Sequence, residues 1–100
     1  MSSPKVSVVI PAYNCQQSIK NTLDACLNQS YSDFEVIVVD DGSKDKTADI
    51  IQSYPGVRYA HQKNSGPAQA RNHGASLAAG ELIFFTDSDC SPEAEWISKM

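Results

Sequence analysis

Glu35-Val36-Ile37-Val38-Val39-Asp40-Asp41-Gly42-Ser43 is the stretch that decides the fold. Its apolar part is a continuous β-branched run, not an alternation of apolar and polar residues. Such a run predicts a strand covered on both faces, as in a parallel sheet. Asp40-Asp41-Gly42-Ser43 then supplies turn chemistry leading into the next element. Working outward, Val6-Ser7-Val8-Val9-Ile10 reads as a first buried strand. Val57-Arg58-Tyr59-Ala60 reads as a short third strand, and Leu82-Ile83-Phe84-Phe85 as a fourth buried strand.

Helical segments fill the gaps. Gln17 to Gln29 carries Ile19, Leu23, Cys26 and Leu27 at helical spacing, which predicts one apolar face. Asp45 to Tyr54 predicts a second helix, capped by Ser43 or Asp45 and packing Ile50, Ile51 and Tyr54; Pro55-Gly56 breaks it. Gly66-Pro67 opens a third, with Gly80 expected in the left-handed position that closes it. Strand and helix in alternation predict an α/β fold, a Rossmann-like parallel sheet with helices on both faces. Right-handed crossovers give the strand order 3-2-1-4.

Composition narrows the partners. One hundred residues allow one compact domain. A net charge of −4 offers no basic stripe and argues against nucleic acid. No apolar run is long enough to span a membrane and no signal-peptide core is visible, so a cytoplasmic location is expected. Cys15, Cys26 and Cys90 have unrelated spacings, which predicts free thiols, not a zinc site or a disulfide framework. Ser91-Pro92-Glu93 reads as a new helix start that the sequence leaves within about two turns. Residues 1–100 are therefore read as a single, truncated N-terminal part of a longer domain. The missing strands would leave an open sheet edge and favour homodimer formation or self-association.

In a doubly wound sheet, ligands bind at the carboxyl ends of the strands where the winding reverses. Here that point lies between strands 1 and 4. Pro11-Ala12-Tyr13-Asn14 follows strand 1, Asp40-Asp41 follows strand 2, and Asp87-Ser88-Asp89 follows strand 4. Asp87 and Asp89, separated by the turn residue Ser88, suit a hard divalent cation carrying phosphate oxygens; a turn that caps the following helix is the alternative. Asp40 and Asp41 can accept hydrogen bonds from a nucleobase or ribose, or simply form a turn. Tyr13 can stack on a base or lie half-buried over the sheet edge, and Asn14 suits the cap of the first helix. Arg71 falls in the second turn of a helix rich in small residues, either balancing the acidic clusters or exposed. His61 and His73 lack metal-ligand spacing and suit surface or packing roles. GxGxxG after strand 1, GxxxxGK[ST] and GxSxG are all absent, which argues against usual dinucleotide binding, P-loop NTPases and serine hydrolases.

Four stretches in register resemble the N-terminal half of family 2 glycosyltransferases with the GT-A fold: residues 6–14, 34–43, 66–72 and 80–89. The resemblance implies transfer of a sugar, with inversion, from a nucleotide-diphosphate donor, UDP-linked, to an acceptor hydroxyl. It implies Pro11, Tyr13 and Asp41 at the nucleobase, with Asp40 supporting them and Arg71 near the base or diphosphate. Asp87, Ser88 and Asp89 are implied as the DxD motif, Asp89 as a ligand to Mg2+ or Mn2+ and Asp87 on the ribose or the metal. The implied partners are a nucleotide-sugar donor and a saccharide or lipid-linked acceptor, in cell-wall or polysaccharide synthesis, with the parent at the cytoplasmic face of a membrane. No residue matches the family's general base, which is expected downstream, so this chain is expected to bind donor and metal without turnover. The competing expectation is a non-catalytic nucleotide-binding or interaction module with the same fold.

Overall fold

The computed structural model describes residues 6–28 and 33–86. In chain order the elements are β1 (Val6–Ala12), α1 (Ile19–Leu27), β2 (Phe34–Asp40), α2 (Thr47–Gln52), β3 (Val57–His61), α3 (Pro67–Leu77) and β4 (Leu82–Phe85). All strand pairs are parallel, and the sheet order is β3-β2-β1-β4. The expected architecture is therefore present.

Handedness explains which helix covers which face. The crossovers through α1 and α2 step in one direction, from β1 to β2 to β3. The crossover through α3 returns past β1 to β4. Right-handed connections running in opposite directions must lie on opposite faces. The side chains follow this division. Val6, Val8, Ile10 and Ala12 of β1, with Val36 and Val38 of β2, form one buried cluster with Ile19, Leu23, Cys26 and Ile51. Ile37 and Val39 point the other way, onto Ala70 of α3. Each fully buried Val, Ile or Leu side chain contributes roughly 1.5–3 kcal/mol relative to exposure.

Four local expectations are corrected. α1 is shorter than Gln17–Gln29, since Gln16 to Ser18 form a turn before it; its buried residues include Thr22, while Leu27 is exposed. α2 covers only Thr47–Gln52, with Lys46 at the cap position and Asp45 Oδ1 accepting the Thr47 N–H. β4 is not a strand buried on both faces: Leu82, Ile83 and Phe85 are exposed at the sheet edge. Among the described residues β4 pairs only with β1, and nothing among them gives its outer face and edge the cover that β1 and β2 receive from two sides. Cys15 and Cys26 are free thiols, as expected; Cys90 and the helix expected after Ser91 lie outside the described residues.

Gly80 is the clearest correction. It does not adopt a positive φ, and α3 ends at Ala78 in extended backbone. Its requirement is space. A Cβ at Gly80 would stand 2.7 Å from the backbone N and Oγ of Ser7 and the carbonyl carbon of Val6. The Ser7 hydroxyl, fully buried, accepts the Gly80 N–H at 2.8 Å and donates to Glu35 Oε2 at 2.6 Å; the same carboxylate oxygen accepts the Ala79 N–H. The α3–β4 connection is thus bonded directly onto the amino-terminal end of the sheet. Arg58 donates to the Leu77 carbonyl and caps the α3 C-terminus from β3.

Gly80→Ala is expected to lower stability by about 1–3 kcal/mol in urea unfolding. Gly56→Ala, where an added Cβ meets nothing within 4 Å, is expected to change it by less than about 0.5 kcal/mol.

Candidate functional site

A cavity of about 760 Å³ opens at the carboxyl end of β1, between the loops that follow β1, β2 and β3. Its lining includes Pro11 near the end of β1, Tyr13 after it, Asp41 after β2, and Asn64 and Gly66 before α3. Pro11 is tolerated in this central strand for a topological reason. Val9 C=O accepts from Thr86 N, and Ala12 C=O accepts from Asp41 N. Backbone groups of the odd-numbered residues therefore face β4, and those of the even-numbered residues face β2. Pro11, which has no N–H, falls on the β4 side beyond the last β1–β4 pair at Val9 and Phe85. Among the described residues no ladder bond is lost.

The first two loops are clasped together. The Asn14 N–H donates to Ser43 Oγ, and Asn14 Oδ1 accepts the Lys44 N–H. The Cys15 N–H donates to Thr47 Oγ1 and the Gln16 N–H to Asp45 Oδ2, while Gln16 Oε1 accepts the Lys46 N–H. Asn14 takes a left-handed φ of 46° at the turn, which Asn tolerates better than most residues. It ties loop to loop instead of capping α1. Cys15, Gln16, Asp45 and Thr47 were not singled out from the sequence as site-forming. Polar residues before a helix read as local caps, and nothing in their spacing announces a partner about thirty positions away.

Asp41 is the centre of the third wall. It is 3% exposed. Its Oδ1 accepts Gln62 Nε2 and the Ser65 N–H, both at 2.8 Å. Its Oδ2 accepts the Gly66 N–H at 3.0 Å and Asn64 Nδ2 at 3.1 Å. Burial opposes ionisation, but the donors from Gln62, Ser65 and Gly66 outweigh it and hold the carboxyl below its ordinary value. Asp45 behaves alike: burial raises it, and bonds from Thr47 and the Gln16 N–H bring it down. Gly42 permits the crossing beneath this cage. It has a φ of 78°, and a Cβ there would lie 2.9 Å from the Asn64 backbone nitrogen.

Asp40 is buried but does not line the cavity. Oδ1 accepts the Ser43 N–H, and Oδ2 accepts the Tyr59 hydroxyl at 2.8 Å. It holds the turn on which Asp41 sits. Burial, together with this carboxylate, pushes the Tyr59 hydroxyl up to about 12. Tyr13 is 46% exposed, with its ring available at the cavity wall. Arg71 is half-buried on α3 and does not line the cavity. His73 is half-buried and contacts Gln62.

The cavity thus lies over the ends of β1 and β2. Asp87, Ser88 and Asp89 lie outside the described residues. Thr86, immediately before them, is bonded to Val9 beside the central strand. Among the described residues no group of three or more His, Cys, Asp or Glu side chains is placed to hold a metal. Among the same residues no helix is long and apolar enough to cross a membrane.

A doubly wound sheet with a cavity at its carboxyl edge is the architecture in which α/β proteins commonly bind ligands. The model of Glycosyl transferase family 2 matches residues 7–100, and the chain belongs to that family. It is 36% identical over 92 residues to the glycosyltransferase YibD of Escherichia coli (strain K12), covering 88% of this chain and 27% of that protein. It is 43% identical over 90 residues to an Escherichia coli chondroitin synthase, covering 86% of this chain and 13% of the synthase. Among solved structures it resembles S. aureus TarS 1–349 in complex with UDP-GlcNAc, with a TM-score of 0.87 and 34% identity over 95% of this chain and 29% of TarS. It also resembles a Pyrobaculum calidifontis mannosyltransferase in complex with GDP-Man and Mn2+, with a TM-score of 0.74 and 31% identity over 89% of this chain and 28% of that one. The chain spans less than a third of each of these proteins.

The ionisable groups give a signed pH prediction. Asp41 and Asp45, depressed on folding, contribute stability above about pH 4 that is lost as pH falls through their folded values. Tyr59, raised on folding, contributes stability below about pH 10 that is lost as pH climbs towards 12. Urea midpoints measured across pH are expected to fall on both limbs. Asp41→Asn, which sets an amide NH2 against the cage of donors, is expected to cost about 1–3 kcal/mol at neutral pH and to flatten the acid limb.

Proposed function

We propose that this chain is the donor-binding part of a glycosyltransferase, and that the cavity receives the nucleoside of a nucleotide-diphosphate sugar. The observation that carries the reading is the charge of the site. Asp41 and Asp45 line it, and among the described residues no Lys or Arg does. A pocket of that sign accepts hydrogen-bond donors of a base or ribose. It repels a bare diphosphate unless a cation accompanies it.

The residue roles follow from chemistry. Tyr13 offers an exposed ring for stacking, and Pro11 shapes the wall beside it. Asp41, ionised and fixed, takes an imide N–H such as that of uracil. Its lone-pair directions are already occupied, so the base N–H enters by displacing a contact. The Asn64 contact is the longest of the cage at 3.1 Å, and a released Asn64 amide can turn to a base carbonyl. Asp40 serves the site by holding the turn. Arg71, from α3, is assigned to the donor's anionic side.

The donor set fits a divalent cation. Asp87 and Asp89 offer the hard oxygen ligands that Mg2+ and Mn2+ prefer, and among the described residues no Lys or Arg lines the cavity. Ser88 joins them in holding the donor. Bound there, the cation would offset the charge that builds on the departing diphosphate. The choice of UDP rests on the TarS complexes with UDP and UDP-GlcNAc. A divalent metal is favoured by the Mn2+ in the Pyrobaculum complex. In the whole protein the sugar passes to an acceptor hydroxyl with inversion, the general base coming from residues beyond those of this chain. The chain alone binds without turnover.

Calorimetric titration with UDP tests this. Binding is expected with Mn2+ and strongly weakened without it. Asp89→Ala is expected to remove the metal dependence. Tyr13→Ala is expected to cost about 1–3 kcal/mol of binding. Equal affinity with and without Mn2+, or no binding of any nucleoside diphosphate, overturns the reading.

A further inference from the structure

Behind the Asp41 wall lies a second layer that does not touch the cavity. Gln62 Nε2 donates to Asp41 Oδ1 at 2.8 Å, and Gln62 Oε1 meets His73 Nδ1 at 2.9 Å. Neither Gln62 nor His73 lines the cavity. Gln62 follows β3, while His73 stands in the middle of α3, so the chain of bonds links that helix to the wall through one amide.

The direction of this chain is fixed by chemistry. An ionised carboxylate only accepts hydrogen bonds, so the end of Gln62 that faces Asp41 must be its NH2. The carbonyl end then faces His73, and a carbonyl also only accepts. His73 must therefore carry its proton on Nδ1. Free histidine favours the opposite tautomer, with the proton on Nε2. With that tautomer, the Nδ1 lone pair would face the Gln62 carbonyl at 2.9 Å. Turning the amide over would place that carbonyl against the Asp41 carboxylate at 2.8 Å. Either arrangement sets two acceptors against each other in a half-buried place and leaves a bond unmade.

We propose that His73 is a positioning residue for the nucleotide site: its Nδ1–H fixes the Gln62 amide, and the fixed amide keeps the Asp41 carboxylate aimed and ionised at the cavity wall. The effect on a nucleotide rests on the donor-site reading given above. The hydrogen-bond chain itself does not depend on it.

Two measurements separate these links. Long-range 1H–15N correlation at about pH 8 reads the His73 tautomer without any ligand. The Nδ1–H form is expected, and the Nε2–H form overturns the proposal. UDP titration with Mn2+ then compares His73→Leu, which removes the donor, with His73→Asn, whose amide nitrogen can stand where Nδ1 stood. His73→Leu is expected to weaken UDP by about three- to tenfold, and His73→Asn to return it to within about twofold of the parent chain. Circular dichroism and urea unfolding check that both variants fold. If His73→Leu folds and binds UDP as the parent does, the positioning role falls. If the parent carries Nδ1–H but binds no nucleoside diphosphate, the hydrogen-bond chain stands and the donor-site reading falls.

Discussion

The structure of the site depends on one buried anion. Asp41 accepts N–H groups from Gln62, Asn64, Ser65 and Gly66, and those residues make up most of the connection between β3 and α3. Without an ionised acceptor at that point, the donors would face an apolar sheet end with nothing to satisfy them. With it, the loop takes one shape, Gly66 is set to open α3, and the helix lands on β1 and β2. There Gly74 packs so closely that an added Cβ would run into Val9 Cγ1. A single carboxylate thus couples the cavity wall to the placement of a whole layer.

The first two loops reach rigidity differently. Asn14, Cys15 and Gln16 exchange bonds with Ser43, Lys44, Asp45, Lys46 and Thr47. These are neutral or singly charged contacts between short polar side chains and backbone, each worth about 1 kcal/mol. Their effect is mainly geometric. They join the exit of β1 to the exit of β2, so that Tyr13 and Asp41 belong to one frame. No buried side-chain polar atom among the described residues lacks a partner, as a site held ready before its ligand arrives requires.

The sheet was legible in the sequence because its information is local. Val36 to Val39 and Val6 to Ile10 can only be covered strands, and the helical spacing between them forces crossovers whose handedness fixes the order. Asp41 and Tyr13 could be picked out because they follow strands at the carboxyl edge of the sheet, where the cavity opens. The rest was hidden for physical reasons. Gly80 looked like a helix cap, since glycine after a helix usually means a left-handed turn; its actual constraint is the approach of Ser7, seventy-three positions away. Asn14 looked like a cap because its local role is common, while its observed partners come from the next loop. Leu82 to Phe85 looked buried because apolar runs usually are, yet among the described residues the strand pairs on one side only, and Leu82, Ile83 and Phe85 are exposed while Phe84 packs on the core. The link from His73 to Asp41 has no sequence signature, because it passes through the orientation of one amide.

In the proposed complex the cavity between the β1, β2 and β3 loops receives the nucleoside of the donor. Chemical-shift mapping of the 15N-labelled chain with UDP and diamagnetic Mg2+ tests this. Saturable shifts are expected, centred on the backbone amides of Tyr13, Asn14, Gly42 and Gly66 and on the side-chain amide of Asn64. Shifts confined to the exposed edge at Leu82 to Phe85, or none at the cavity under saturating UDP, would contradict it.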